Sequence, residues 1–256
     1  MVRKILVLSL LAMSLGAASA YAQTAPAPAA QPAANAVDPA SIQALKDMGT
    51  YLLTLNRFEV STELTGEDVL ADGQKLQHTA TADMDVVRPN KIRVLMKSAR
   101  SERELVYDGK TFSLSTPAQK YYGTLELGGT IGDLIERLES KYGMQIPLDD
   151  LFRFGTPAAD FSKIESAMNA GQDFVDGDLC DHYAYRSGKV DWQIWIMAGG
   201  KPLPRKIVIT DRADEARPQS VQMIDWNLKP TFKDAVFKFT PPKGSTKIDI
   251  VEVKIK

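Results

Sequence analysis

Hydrophobic positions along the chain change their period three times. These changes divide it into a helix, a first set of strands, a helical insert and a second set of strands. Over residues 39–55 apolar side chains recur at helical spacing, at Ile42, Leu45, Met48, Leu52 and Leu55. Asp38 supplies an N-cap, and Pro39 follows at the first helical position. The pattern predicts an amphipathic helix at the start of the folded part.

Beyond Arg57 apolar and polar residues alternate, as they do on strands that bury one face. Asp72 and Gly73 mark a hairpin turn between the first two alternating runs. The runs predict strands at residues 58–64, 76–87, 91–97, 103–107, 111–115 and 120–127, and after the insert at 173–176, 179–187, 190–197, 205–211, 220–228 and 236–240.

Between the two sets of strands the apolar spacing becomes helical again. Thr130 and Asp133 form the pattern of a capping box. The residues that follow place four apolar side chains on one helical face, namely Ile131, Leu134, Ile135 and Leu138. Shorter helices are predicted at residues 147–152 and 161–168.

This order of elements predicts a mainly β protein with helices, of the α+β class, whose antiparallel strands form one strongly curved sheet. The helical blocks are expected to lie over its concave face as a lid and to enclose an apolar cavity. The expected lining comprises Ile42, Leu45, Met48 and Leu52 of the first helix, Ile131, Leu134, Ile135 and Leu138 of the insert, and Trp192 and Ile194 of a strand. The alternative is that the helical stripes only pack on a core.

Two tryptophans of one predicted strand, Trp192 and Trp195, also bear on where the cavity lies. Trp192 and Ile194 share one face of their strand, and Trp195 points the other way. At least one of the two tryptophans is a candidate for the cavity wall.

The N-terminal composition indicates export. Arg3 and Lys4 precede a short apolar run and small residues, which is typical of a signal peptide over residues 1–22, cleaved before Tyr21 or Gln23. The predicted location is therefore the periplasm.

Residues 23–37, almost all Ala, Pro, Gln and Thr, are expected to form a disordered tether to a single, monomeric domain over residues 38–256. The one cysteine, Cys180, excludes an intrachain disulfide. The chain has 31 basic and 32 acidic residues, a balance that argues against a nucleic-acid partner.

Candidate catalytic chemistry is sparse, so no enzyme activity, cofactor or metal site is predicted. The two histidines, His78 and His182, are too far apart for a histidine-rich zinc site. Cys180 and His182 share a strand face and could form a nucleophile pair, but a buried cysteine is the commoner arrangement. Gly109-Lys110-Thr111 lacks the upstream glycine of a phosphate-binding loop and is read as a turn.

Three short motifs follow one another in order: Arg-Pro-Asn at residues 88–90, Asp-Gly-Lys-Thr at 108–111 and Phe-Lys-Phe-Thr-Pro-Pro at 237–242. Together they resemble the motifs of the periplasmic lipoprotein-carrier family LolA and the wider LolA/LolB-like superfamily, including its less characterised exported members. The resemblance implies an incomplete antiparallel β-barrel, closed by helices, that carries acyl chains. It also implies that Arg88 hydrogen-bonds to the lid. Asp85 departs from the family pattern, because it places a charge where a cavity wall is expected.

The predicted function is a soluble periplasmic carrier or binding protein for lipid or lipoprotein acyl chains, with a membrane-bound donor or acceptor as a possible partner. The alternative is a periplasmic sensor or regulatory interaction protein on the same scaffold. At residue level, Arg88 is hypothesised to latch the insert near residues 131–138, with the first helix as the other half of the lid.

Overall fold

One open sheet of twelve strands forms the frame of the protein. The computed structural model describes residues 36–253. The strands are β1 (Arg57–Val69), β2 (Lys75–Val87), β3 (Lys91–Ser98), β4 (Glu102–Tyr107), β5 (Thr111–Thr116), β6 (Tyr121–Glu126), β7 (Ser166–Val175), β8 (Asp178–Ser187), β9 (Val190–Met197), β10 (Pro204–Asp211), β11 (Gln219–Asn227) and β12 (Thr246–Lys247). Their order is β12-β6-β5-β4-β3-β2-β1-β11-β10-β9-β8-β7.

The sheet is curved and antiparallel, apart from the short β12, which runs parallel to β6. Strand β1 joins the two sets of strands, because it pairs with β2 on one side and with β11 on the other. Within the described residues β7 and β12 remain the two edges, so the predicted incomplete barrel is an open sheet.

The first helix, α1 (Pro39–Thr54), begins at the predicted cap. The carboxylate of Asp38 accepts hydrogen bonds from the backbone of Ala40 at 3.1 Å and of Ser41 at 3.0 Å. The hydroxyl of Tyr185 donates to the carbonyl of Ser41 at 2.8 Å, which ties the start of α1 to β8. The apolar stripe of α1 packs on the inner face of the sheet.

The second helix, α2 (Ile131–Tyr142), also begins as predicted. Thr130 and Asp133 form a reciprocal capping box, and Gly143 ends the helix in the left-handed conformation. The amide of Ile131 donates to the carbonyl of Pro89 at 2.8 Å, so the Arg-Pro-Asn turn holds the start of α2 through its backbone.

Most predicted strands match the observed ones to within one or two residues, and four segments differ. The first strand continues to Val69, five residues beyond its predicted end. Residues 161–168 are not a helix: a short 3-10 helix, Phe161–Lys163, precedes β7, which starts well before the predicted strand 173–176. Residues 147–152 contain only the 3-10 helix Asp149–Phe152.

The predicted strand 236–240 is instead a 3-10 helix, Asp234–Phe237, followed by irregular chain. Phe237 is buried, and Phe239 lies against Tyr122 with ring centroids 5.7 Å apart. Tyr122 is on the outer face of β6. The alternation of Phe237 and Phe239 therefore reflects a segment that lies across the sheet, not one that pairs with it.

The predicted signal peptide and residues 23–35 of the predicted tether lie outside the described residues. The last two residues of that tether are paired: Ala36 accepts a hydrogen bond from Ala167 at 3.1 Å, and Val37 bridges to the same residue of β7. Among residues 36–253 no helix is long and apolar enough to cross a membrane.

A close backbone contact joins α1 to the insert. A Cβ atom on Gly49 would lie 2.4 Å from the backbone nitrogen of Gly155, and one on Gly155 would lie 2.5 Å from the carbonyl oxygen of Gly49. Gly155 also has a φ of +78°, which favours glycine. Only two glycines allow the helix and the insert loop to approach this closely.

We therefore expect Gly49→Ala to lower the free energy of unfolding by about 1–3 kcal/mol, because overpacking at this contact outweighs the better helix propensity of alanine. Urea unfolding followed by circular dichroism measures it. The control is Gly132→Ala in α2, where the added Cβ would meet only the Thr130 hydroxyl, at 3.7 Å. Equal midpoints for Gly49→Ala and wild type would contradict the close contact.

Candidate functional site

An apolar pocket of about 250 Å³ lies between the insert and the inner face of β9 and β10. Its floor contains two cross-strand pairs, Ile194 with Ile207 and Trp192 with Ile209. Val190 extends the floor, and the insert contributes the remaining two lining residues, Asp150 and Phe154. The volume is slightly below the roughly 300–1,000 Å³ that is usual for small-molecule sites.

Aromatic stacking holds the pocket walls in place. Trp192 stacks on Tyr185 with ring centroids 4.2 Å apart, and Tyr185 is itself hydrogen-bonded to α1. Phe154 stacks on Phe161 at 6.3 Å, within the insert. The walls are therefore built from rigid side chains on two different parts of the molecule.

The apolar stripes of the helices form a packed core in this conformation. Each of the following is at most 3% exposed: Leu45, Met48, Leu52, Ile131, Leu134, Ile135 and Leu138. Ile42 is half-buried against the same core. Between Leu52 and Phe152 the remaining space is only about 10 Å³, too little for more than one water. Of the ten apolar residues predicted to line a cavity, Trp192 and Ile194 line the pocket.

Arg88 contacts the insert at a different place from the one predicted. Its guanidinium carbon lies 5.3 Å from the centroid of the Phe152 ring. Its Nε is buried and has no hydrogen-bond partner among residues 36–253, and burial lowers the pKa of the guanidinium. The predicted hydrogen bond from Arg88 to helix carbonyls near residues 131–138 is not made here.

Asp85 does not interrupt the cavity wall, which corrects the expectation from the family pattern. It lies on the outer face of β2, because its neighbours Met84 and Val86 are buried on the inner face. There it forms an ion pair with Arg93 at 3.3 Å. Burial raises the pKa of Asp85 in spite of that partner.

Two further polar atoms are buried on the inner face without a partner in the described part of the chain, Thr62 Oγ1 and Gln222 Oε1. Gln222 is the cross-strand neighbour of Ile207, at the edge of the pocket floor. Gln222 Oε1 is thus placed to accept a hydrogen bond from a polar group that enters from the pocket.

A cluster of acids surrounds the 3-10 helix of the insert. Burial, and then the charge of Asp150, raise the pKa of Asp149 to about 6. The amide of Asp150 donates to the Asp149 carboxylate at 2.9 Å. Arg153 forms a hydrogen-bonded ion pair with Glu139 of α2, and among residues 36–253 neither aspartate has a direct cationic partner.

Cys180 and His182 lie on the outer face and do not form a nucleophile pair. The His182 ring stacks on Trp195 at 4.0 Å, and its Nε2 lies 2.9 Å from Gln193 Oε1. Cys180 is buried, and burial raises the pKa of its thiol, which disfavours the reactive thiolate. Trp195 is therefore an outer-face residue, and Trp192 is the tryptophan on the pocket side. Residues 36–253 contain no group of side chains suited to hold a metal ion.

Sequence reasoning missed five lining residues, Asp150, Phe154, Val190, Ile207 and Ile209. The alternation over residues 205–211 placed the two isoleucines on one face, but only the observed pairing with β9 puts them beside Trp192. Asp150 and Phe154 gave no periodic signal, because they belong to a short 3-10 turn and the loop after it.

Comparisons with known proteins give a family and a fold. A family described as "Predicted periplasmic protein (DUF2092)" matches residues 41–251. No curated protein sequence matches the chain.

Among solved structures, lipoprotein LppX of Mycobacterium tuberculosis is 14% identical, with a TM-score of 0.50, and the match covers 77% of this chain and 100% of that one. LprF from Mycobacterium bovis is 14% identical with a TM-score of 0.45, over 82% and 99% of the two chains. The LolA superfamily protein NE2245 from Nitrosomonas europaea is 12% identical with a TM-score of 0.40, over 78% and 97%. At such identity the similarity to LppX shows the fold alone. What this match confirms of the expectation from the motifs is the coarse fold, a mainly β protein with one large, open, curved antiparallel sheet.

The raised pKa of Asp149 makes stability depend on pH. Between about pH 4 and pH 6 folded Asp149 keeps a proton that the unfolded chain has released, so its contribution to the free energy of unfolding falls as pH rises through this window. We expect Asp149→Asn to raise that free energy by about 1–2 kcal/mol at pH 7.5, allowing for partial exposure, and to have no effect at pH 3.5.

Thermal or urea unfolding across this pH range measures the effect. Asp234→Asn is a control of opposite sign, because Arg57 and Lys91 lower the pKa of Asp234 and its loss should destabilise at neutral pH. Parallel stability curves for wild type and Asp149→Asn would show that Asp149 has an ordinary pKa.

Proposed function

The chain belongs to the family of predicted periplasmic proteins DUF2092, and we propose that it is a periplasmic carrier or binding protein for the apolar chain of a lipid or lipoprotein. The observation that carries the proposal is the pocket between the insert and β9–β10, six of whose seven lining residues are apolar. The proposed unit is the monomeric domain of residues 38–256, which would exchange its ligand with a membrane-bound donor or acceptor.

The hydrophobic effect is sufficient for such binding. Each methylene group moved from water into an apolar site gains about 0.8 kcal/mol, so even part of an acyl chain gains several kcal/mol. Rigid aromatic walls and aliphatic side chains are the usual lining of such sites. Gln222 Oε1, which has no hydrogen-bond partner among residues 36–253, lies beside the floor and offers an acceptor for a polar group of the ligand.

A ligand too long for the volume of the pocket would require the insert to move. At about 250 Å³ the pocket accepts a short apolar segment. A longer chain would need space beneath α1, where the interior is packed. The insert and α1 are therefore proposed to act as a lid, and opening would break the Gly49–Gly155 contact and the contact of Arg88 with Phe152.

The first test is ligand binding. Native mass spectrometry of protein purified from its own periplasm should show bound lipid, and the purified protein should bind N-phenyl-1-naphthylamine, a neutral apolar fluorophore. We expect Ile209→Glu to weaken fluorophore binding at least about tenfold, because it places a charge on the pocket floor.

Thr210→Glu is the matched control, since it adds the same charge at the next position of β10, on the other face. Wild-type protein that carries no lipid and binds no fluorophore would refute the carrier function. Equal weakening by the two glutamates would place the binding site elsewhere.

The second test concerns the lid. Arg88→Ala removes the stem and the guanidinium that pack on Phe152, a contact of about 0.5–2 kcal/mol. We expect hydrogen exchange to quicken at the insert amides of Leu151 and Arg153, which close the 3-10 helix. The outer-face contact of Lys91 with Phe237 supplies the control variant Lys91→Ala, which should leave those amides unchanged. If exchange in the insert is the same in Arg88→Ala and wild type, Arg88 does not hold the lid.

A further inference from the structure

The pocket has a single charged lining residue, and it is an acid. Asp150 lies where the insert meets the floor of β9 and β10. No lysine or arginine of residues 36–253 lines the pocket. A ligand that places its chain on the floor therefore brings its head group towards a carboxylate.

Among residues 36–253 Asp150 has no direct partner for its charge: burial raises the pKa of its carboxyl group, and the charge of Arg153 offsets that rise only in part. Within the described part of the chain, its carboxylate oxygens take part in no hydrogen bond and no ion pair. The cation closest in sequence, Arg153, is bonded to Glu139, and Asp149 adds a further carboxylate. Three acids and one guanidinium leave this end of the pocket negative.

In the described part of the chain, no lysine or arginine lines the far end of the pocket either. Val190 ends the floor there, and its neighbour Asp191 lies on the opposite face of β9. Asp191 is paired with Arg186 at 2.6 Å and lies 3.7 Å from Arg212, so these two arginines are held away from the pocket. Among the described residues that line the pocket, an anionic head group would therefore meet no cationic side chain.

We propose that Asp150 sets the head-group specificity of the pocket, so that apolar chains with a neutral head group bind and those with an anionic head group are excluded. The proposal rests on the proposed function and names its ligand class. Acylglycerols and the diacylglyceryl group of a lipoprotein belong to the accepted class, because their hydroxyl and ester groups carry no charge. Fatty-acid anions and anionic phospholipids belong to the excluded class.

The physical reason is repulsion between like charges that are only partly screened. A carboxylate or phosphate near Asp150 would be repelled, and no lysine or arginine among the lining residues would compensate for its lost hydration. A hydroxyl group can donate a hydrogen bond to the same carboxylate. The acid therefore distinguishes two ligands whose apolar chains are identical.

The test compares laurate with 1-lauroylglycerol, which have the same acyl chain. Each displaces N-phenyl-1-naphthylamine from the full-length mature protein at pH 8 and low ionic strength, below its micelle concentration. For wild type we expect laurate to bind about tenfold more weakly than 1-lauroylglycerol. In Asp150→Asn the ratio of the two dissociation constants should fall to within about threefold.

Two controls separate this effect from others. Asp176→Asn makes the same change in net charge in the β7–β8 hairpin and should keep the wild-type ratio. Asp150→Glu keeps the charge and should keep the ratio as well. In wild type the ratio should shrink at about 1 M salt, where screening is strong, and in Asp150→Asn it should not change.

The outcomes separate the two proposals. If laurate binds wild type as tightly as 1-lauroylglycerol, or if Asp150→Asn leaves the ratio unchanged, the head-group specificity is refuted while the carrier function stands. If the fluorophore does not bind and neither ligand binds in native mass spectrometry, both proposals fail together.

Discussion

The need to cover one apolar sheet face is the constraint on which the rest of the structure depends. An open sheet of twelve strands cannot bury its own inner surface. Leaving so many valine, isoleucine and leucine side chains exposed to water would be energetically unfavourable. Helix α1, helix α2 and the 3-10 helix Asp149–Phe152 supply the cover. They cover the β9–β10 region incompletely, and the apolar pocket is the space that is left there.

The sheet and its cover are held by different kinds of contact. Neighbouring strands are joined by continuous ladders of backbone hydrogen bonds, such as the full-length pairing of β1 with β2. The cover is attached by side-chain packing and by a few polar links, among them the bond from Tyr185 to Ser41 and the one from Ile131 to Pro89. Such an attachment can open locally at a fraction of the free energy of global unfolding. A carrier needs this difference between a rigid frame and a removable cover.

The sequence predicted the parts of the fold that depend on local pattern. Alternation located the strands from β1 to β6 and from β8 to β11, and the caps at Asp38 and Thr130 located both helix starts. The hydrophobic pattern gave the wrong prediction where the environment of a segment depends on residues far away in the sequence. Phe237 and Phe239 alternate because they lie across the outer face, and Ser166 starts a strand because β8 is there to pair with it.

The candidate site was predicted in part, for the same reason. Trp192 and Ile194 were identified from their strand face, but the helix residues that share their apolar character became core. Which apolar residue lines a space and which fills it depends on three-dimensional packing, and periodicity is the same for both. Asp150, the residue that gives the pocket its charge, had no periodic signal at all.

The position of β1 has a consequence for how the chain acquires its fold. Its two pairings differ greatly in sequence separation. Strand β2 follows β1 after a short turn, whereas β11 lies about 150 residues further along the chain. Chains with such non-local pairing fold slowly. During export the free edge of β1 would remain open until β11 has arrived, and an open strand edge invites pairing with other chains. We therefore expect this protein to depend on periplasmic chaperones chiefly in the interval before its two half-sheets pair.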